Sequence, residues 1–213
     1  MKEKTAEILA ETIIRYPVLA GVKSDIEKTF EVLSECFANG GRLYVCGNGG
    51  SAADCEHIAG ELLKSFKLPR PLSESCKTAL KEYGAEGGTL VSCLENGLPV
   101  ISLCGHAAFS TAYANDRNPD LVFAQQVNVW GRGGDVLLTL STSGNSKNCV
   151  YAAIAAKAKG MSVAFLGGGD GGRLASFSDA SVVVPEKETY KVQELHLPVY
   201  HCLCAMLESE FFG

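Results

Sequence analysis

Asp135-Val136-Leu137-Leu138-Thr139-Leu140 runs directly into Ser141-Thr142-Ser143-Gly144-Asn145-Ser146, and the reading of this stretch decides the fold. The first half is short and mostly apolar, as a strand buried on both faces should be. Beyond the hydroxyls, Lys147 to Lys159 is rich in alanine with apolar positions at helical spacing, and Gly160 supplies a stop. A strand ending in small hydroxyl residues at a helix N-terminus makes a seat for phosphate. Free backbone N–H groups, the positive end of the helix dipole and short hydroxyl side chains all favour an anion there. The plainer reading is a Ser/Thr turn that caps a helix.

A second loop of the same kind favours the phosphate reading. Arg42-Leu43-Tyr44-Val45-Cys46 reads as a strand, Gly47-Asn48-Gly49-Gly50-Ser51 follows, and a helix is expected from Ala52 to about Phe66. The loop is not the dinucleotide fingerprint, which would need glycine where Ala52 stands, and it lacks the Gly-Lys-Ser/Thr of a Walker loop. Two strand–loop–helix units in a parallel sheet should open on the same edge, where such sheets bind ligands. The helix after Ser51 carries His57 and Glu61, four residues apart and therefore on one face. That spacing suits a metal clamp or an acid/base pair, and equally an ordinary surface contact.

Working outward, residues 3–15 and 19–38 read as two helices ahead of the first strand, with Ile26, Phe30, Val32, Leu33 and Phe37 recurring at helical intervals. Their apolar stripes have the sheet or another subunit to cover them. Between 67 and 98 the pattern gives a helix over 73–83, breaks at Gly84, Gly87 and Gly88, and a short helix over 89–95. Strands follow at 99–104, 162–166 and 180–184, and helices at 108–114, 121–130 and 173–177, with Asn115-Asp116 opening a loop. A long helix over about 190–211 closes the chain and carries Gln193, His196 and His201, with Pro198 expected to kink it. The alternation of strand and helix predicts an α/β fold: one doubly wound, five-stranded parallel sheet with helices on both faces, plus the N-terminal helices, in a single domain.

Composition bounds the function. The chain has 213 residues, 46% of them hydrophobic and 20% charged, with a net charge of −5. That balance argues against a nucleic-acid surface, whose footprint is usually basic. No apolar run approaches the ~20 residues of a membrane span, and the charged N-terminus lacks a signal-peptide core. The nine cysteines are odd in number, scattered, and form no CxxC pair, which fits a reduced cytoplasmic setting.

Taken together, Cys46-Gly47-Asn48-Gly49-Gly50-Ser51, His57-x-x-x-Glu61, the Asp135–Ser146 stretch, and Gln193-Glu194-Leu195-His196 with His201 resemble the phosphoheptose isomerases, a branch of the sugar isomerase (SIS) domain proteins. The resemblance covers nearly the whole chain and includes Asp170-Gly171-Gly172. It implies interconversion of sedoheptulose 7-phosphate and a heptose 7-phosphate. It assigns Asn48, Gly49, Ser51, Ser141, Thr142, Ser143, Ser146 and Gln193 to the phosphorylated sugar. It assigns His57, Glu61, Gln193 and His201 to a zinc ion, with Glu61 and His201 as acid/base residues. It further implies a homotetramer with sites at subunit boundaries. The contrasting expectation is a non-catalytic SIS protein that senses a sugar phosphate or binds a partner; such relatives keep the phosphate loop and lack the His/Glu…His set. A third, an amide-transfer or etherase-type protein, usually carries a longer architecture. The chain departs from the family at Ser65, where arginine is usual, at Tyr190, where an acidic residue is usual, and at His106, where aspartate is expected. The 67–98 segment also reads as longer than its family counterpart.

Overall fold

The computed structural model describes residues 1–213. Five parallel strands make one sheet: β1 Leu43–Gly47, β2 Val100–Ser102, β3 Val136–Ser141, β4 Ser162–Gly168 and β5 Ala180–Val184. Their spatial order is β2-β1-β3-β4-β5. Leu43 pairs with Val136 and Gly47 with Leu140, so β1 and β3 end side by side. The chain leaves β1 toward β2 on one side and returns to β3 on the other. That reversal opens a crevice at the carboxyl ends of β1 and β3, where open α/β sheets bind ligands.

Strand side chains alternate between two cores, as a period of two requires. Leu43, Val45, Val136, Leu138, Leu140 and Leu166 face the larger core; Tyr44, Cys46, Leu137, Val163 and Phe165 face the smaller one. Helices α2 (Lys23–Ala38), α3 (Gly50–Leu63) and α10 (Thr189–Phe212) cover the first, while α7 (Val122–Trp130), α8 (Lys147–Ala158) and α9 (Gly172–Phe177) cover the second. The stripe of α2 is used within the chain: Ile26, Phe30 and Leu33 are buried. Helix α1 (Glu3–Arg15) lies along α10, where Thr5 Oγ1 meets Ser209 Oγ at 3.1 Å and Glu210 Oε2 at 3.0 Å. A 3-10 segment, Pro17–Val22, joins α1 to α2 and takes the place of the first residues of the helix expected over 19–38.

Several boundaries differ from the sequence reading, each for a physical reason. Helix α3 ends at Leu63 rather than Phe66 because the buried Arg70 guanidinium takes its last carbonyls, Leu62 O at 2.7 Å and Glu61 O at 3.1 Å. The 67–98 segment holds α4 (Glu74–Lys81) and α5 (Gly84–Cys93), so Gly87 and Gly88 lie inside a helix instead of breaking one. A Cβ at Gly87 would overlap the Leu80 carbonyl; the glycine lets the two helices meet closely. Asn115 and Asp116 complete α6 (Ala107–Asp116), β2 is shorter than expected, and β4 extends into the glycine run. Helix α10 continues through Pro198, which is buried among its neighbours, without the break that proline alone would cause. All nine cysteines are free, most of them buried as small hydrophobes. No helix is long and apolar enough to cross a membrane.

Candidate active site

β1 and β3 deliver the two loops to one place. Asn48 in the first and Asn148 at the start of α8 exchange amide hydrogen bonds in both directions, at 2.9 and 2.8 Å. The second loop is fastened to the glycine run after β4. The Gly168 N–H donates to the Thr142 carbonyl at 3.1 Å, the Leu174 N–H to the Gly144 carbonyl at 2.9 Å, and the Arg173 N–H to Asn145 Oδ1 at 3.1 Å. Gly144, at φ +64°, approaches Gly171 so closely that a Cβ would overlap its carbonyl. The Ser141 and Ser146 hydroxyls bond each other at 3.0 Å, so Ser146 precedes α8 without capping it through its side chain. Helix α3 likewise starts after Gly49 with no side-chain cap. Two helix N-termini therefore present unpaired N–H groups at one sheet edge, beside exposed Ser143, half-buried Thr142 and Ser146, and buried Ser51 and Ser141. The arrangement is a cradle for an anion, built from neutral donors.

From that edge, α3 carries Gly50, Asp54, His57 and Glu61 on one stripe. The stripe faces α10: Gln193 packs on Gly50, and Tyr200 and His201 pack on His57. His57 Nε2 lies 3.2 Å from Glu61 Oε1 and 3.4 Å from His201 Nε2. Lys64 Nζ stands 3.8 Å from the other carboxylate oxygen, Oε2. The Tyr200 hydroxyl reaches His57 Nδ1 at 2.9 Å and Asp54 Oδ1 at 3.3 Å. Burial, and then the neighbouring His57, make His201 harder to protonate than an ordinary histidine, against the opposite pull of Glu61. Burial also raises the pKa of the Asp54 carboxyl, against the Tyr200 hydrogen bond. Beside His201 a cleft of about 260 Å³ opens between α1 and α10, lined among others by Glu11, Arg15, Tyr16, Phe66 and Lys67.

The donors of the cluster suit a metal in kind. Two imidazole nitrogens and a carboxylate oxygen form a common zinc set, and ligands about 2.0–2.1 Å from a tetrahedral centre stand roughly 3.3 Å apart. As the side chains stand, no group of three or more His, Cys, Asp or Glu encloses an ion position; His57 bonds its neighbours instead. Gln193 is not in the cluster. It sits beside Gly50, two helical turns or roughly 10 Å along α3 from His57.

Two of the three departures from the family are occupied elsewhere. Ser65 bonds Glu95 through its N–H and its Oγ, both at 2.9 Å. His106 packs on Trp130 with centroids 5.0 Å apart, and Tyr190 is exposed. Sequence reasoning missed Asp54, Tyr200 and Asn148. Asp54 was within reach, because it precedes His57 by three residues on the same stripe. Tyr200 and Asn148 acquire meaning only once α10 lies beside α3 and β3 beside β1.

The chain matches the SIS domain family model over residues 17–96 and 76–168. It is 35% identical over 215 residues to a phosphoheptose isomerase of Halorhodospira halophila, covering 99% of this chain and 96% of that protein. The structure of phosphoheptose isomerase GmhA from Neisseria gonorrhoeae superposes with a TM-score of 0.74 at 32% identity, covering 97% of this chain and 98% of that one. A phosphoheptose isomerase from Francisella tularensis gives 0.73 at 30% identity, over 97% and 94% of the two chains. Sequence, fold and full-length coverage agree: the chain belongs to the phosphoheptose isomerase family of SIS-domain proteins.

Proposed function

We propose that this chain is a phosphosugar ketol-isomerase that interconverts sedoheptulose 7-phosphate and a heptose 7-phosphate through an enediol. The observation that carries the reading is a distance. His57 lies seven residues along α3 from Gly50, about 10 Å at 1.5 Å per residue. An extended seven-carbon sugar spans roughly 10 Å from C1 to its phosphorus, at about 1.25 Å of advance per bond. With its phosphate on Asn48, Gly49, Ser51, Ser141, Thr142, Ser143 and Ser146, such a sugar brings C1 and C2 to the cluster. A five-carbon phosphate falls about 2–3 Å short by the same arithmetic. Gln193, beside Gly50, touches the sugar from its present position, whereas ligating a metal would require its side chain to leave that contact.

Isomerisation moves one proton between C1 and C2 and one between their oxygens. Glu61 meets the His57 imidazole with Oε1 and Lys64 with Oε2, so one oxygen holds its place in the cluster while the other takes the carbon proton and returns it to the adjacent carbon. His201, whose burial favours the neutral ring, passes the oxygen proton. His57, Glu61 and His201 would hold a zinc ion, which when bound supplies positive charge to the developing enediolate. A cytoplasmic homotetramer with sites at subunit boundaries belongs to the same reading. Free cysteines and the exposed Ile14 and Val18 of the N-terminal segment support it, and the mass of the particle in solution tests it.

The deciding experiment offers five-, six- and seven-carbon ketose phosphates to the protein with and without zinc. The seven-carbon 7-phosphate should turn over fastest, with the five-carbon one at least about tenfold slower, because small misplacements at the reacting carbons are costly. Glu61→Gln should abolish turnover. A chain that isomerises none of them under any loading is not this enzyme.

A further inference from the structure

The cleft beside His201 lies past the cluster, and the proposed chemistry does not use it. Helices α3 and α10 run the same way: Gln193 stands beside Gly50, His201 beside His57, and Glu208 beside the backbone of Phe66 and Leu68. A sugar laid from the cradle to the cluster therefore points its C1 end at the cleft. Phe66, its ring 5.7 Å from that of His201, forms one wall. Helix α1 forms another and runs against α10, since Thr5 meets Ser209 and Thr12 meets Cys202. Three residues further along α1, Arg15 comes level with the turn that carries His201 and lines the same cleft. Its guanidinium lies 5.4 Å from the centre of the Tyr16 ring and enters no ion pair. Lys67 lines the cleft from the segment after α3; its N–H is held by Glu208 Oε2 at 2.7 Å, and its ammonium also enters no ion pair. Glu11 is the one acid on the walls, so the cleft carries an excess of positive charge in a chain whose net charge is −5.

We propose that this cleft is a second anion seat, and that the site binds open-chain sugars phosphorylated at both ends, with the 7-phosphate on the cradle and a C1 phosphate between Arg15 and Lys67. The inference rests on the proposed placing of a seven-carbon 7-phosphate and extends it past C1. A phosphoester on C1 adds about 2.5 Å at about 1.25 Å of advance per bond, which carries its phosphorus from the cluster into the adjoining cleft. There the two cations meet anionic oxygens in charge-assisted hydrogen bonds, and the guanidinium fork suits a phosphate in particular. A cleft with an excess of one charge also focuses its field and gathers ions of the other sign. Such a ligand cannot react. Isomerisation moves a proton between the C1 and C2 oxygens, and an esterified C1 oxygen neither gives nor receives one. A sugar bisphosphate is therefore a dead-end ligand that keeps the 7-phosphate out.

The test compares heptitol 7-phosphate with heptitol 1,7-bisphosphate, open-chain compounds that lack the carbonyl and cannot turn over, by titration calorimetry on the full chain. The bisphosphate should bind the parent at least about tenfold more tightly, the yield of one charge-assisted contact. In the double variant Arg15→Gln, Lys67→Gln the two compounds should bind alike, with the 7-phosphate bound as in the parent. A bisphosphate that binds the parent no more tightly than the 7-phosphate overturns the second seat. A preference that survives in the double variant overturns it too, as does an equal loss of affinity for both compounds, since the cations then serve no particular end of the sugar. Assays of isomerisation separate this inference from the reading beneath it. A chain that prefers the bisphosphate through Arg15 and Lys67 but isomerises no ketose phosphate keeps the seat and loses the proposed activity. An active chain without that preference keeps the activity and loses the seat.

Discussion

His196 shows what a single buried polar residue does to the pH response of the whole chain. Its ring is fully buried, Nε2 donates to the Gly167 carbonyl at 3.3 Å, and Nδ1 has no partner. Burial pushes its pKa down to about 4, against the small opposing effect of the Gly167 bond. The unfolded chain, with a histidine near 6.5, binds that proton more readily than the folded one. Stability from this site is therefore fully present above about pH 6.5 and is lost as pH falls through about 4. The full difference is about 3 kcal/mol at roughly 1.4 kcal/mol per pKa unit. Urea denaturation of the parent and of His196→Gln, which keeps a donor for Gly167, checks this. Between pH 6.5 and 4.5 the parent should lose about 2–3 kcal/mol more than the variant; parallel pH profiles would show that His196 is not the group responsible.

At the scale of elements, α3 and α10 must keep their relative position for His57, Glu61 and His201 to meet, and a buried ion pair holds them. Arg70 and Glu208 are each 1% exposed and lie 2.9 Å apart. Arg70 also takes the last carbonyls of α3, and Glu208 accepts the N–H groups of Phe66, Lys67 and Leu68 at 2.7–3.0 Å. The pair thus joins the end of the helix that carries Glu61 to the helix that carries His201. Glu208→Ala strands a buried guanidinium and three N–H groups, which should cost about 3–5 kcal/mol. Arg70→Met and the double substitution complete a cycle in which the double should cost less than the sum of the singles. Additive losses by urea denaturation would mean that the two side chains act separately. Neither partner was legible in the sequence, where Arg70 is one cation in a proline-flanked loop and Glu208 one acid near the chain's end. The cradle was legible because Gly47–Ser51 and Ser141–Ser146 are local signals, each complete within one strand–loop–helix unit. The Gly87-Gly88 pair was misread for the opposite reason: glycine marks a break by local propensity, and only the approach of α4 to α5 shows that it admits a neighbour.

The whole molecule explains why distant segments form one site. The reversal between β1 and β3 sets two phosphate-favouring loops side by side, and the larger core clamps α3 and α10 against the same sheet face through residues such as Ile58, Leu62, Val199 and Leu203. Alternation of strand and helix made the sheet and its layers legible. The parallel run of α3 beside α10 was not, since it depends on how two helices separated by more than a hundred residues pack. That packing predicts how the protein answers metal removal. The cluster lies on the rim of helices whose positions are determined by apolar burial on their other faces, so an ion held by His57, Glu61 and His201 adds binding energy without creating the fold. Chelation should therefore abolish isomerisation while the chain keeps one cooperative unfolding transition. Stability should fall only by the linkage amount, about 2.7 kcal/mol for zinc supplied at a hundred times its dissociation constant. Circular dichroism and urea denaturation before and after chelation, with activity recovered on adding zinc, read both quantities. Loss of helical signal on chelation would make the metal a structural member of the fold, and unchanged turnover would remove it from the chemistry.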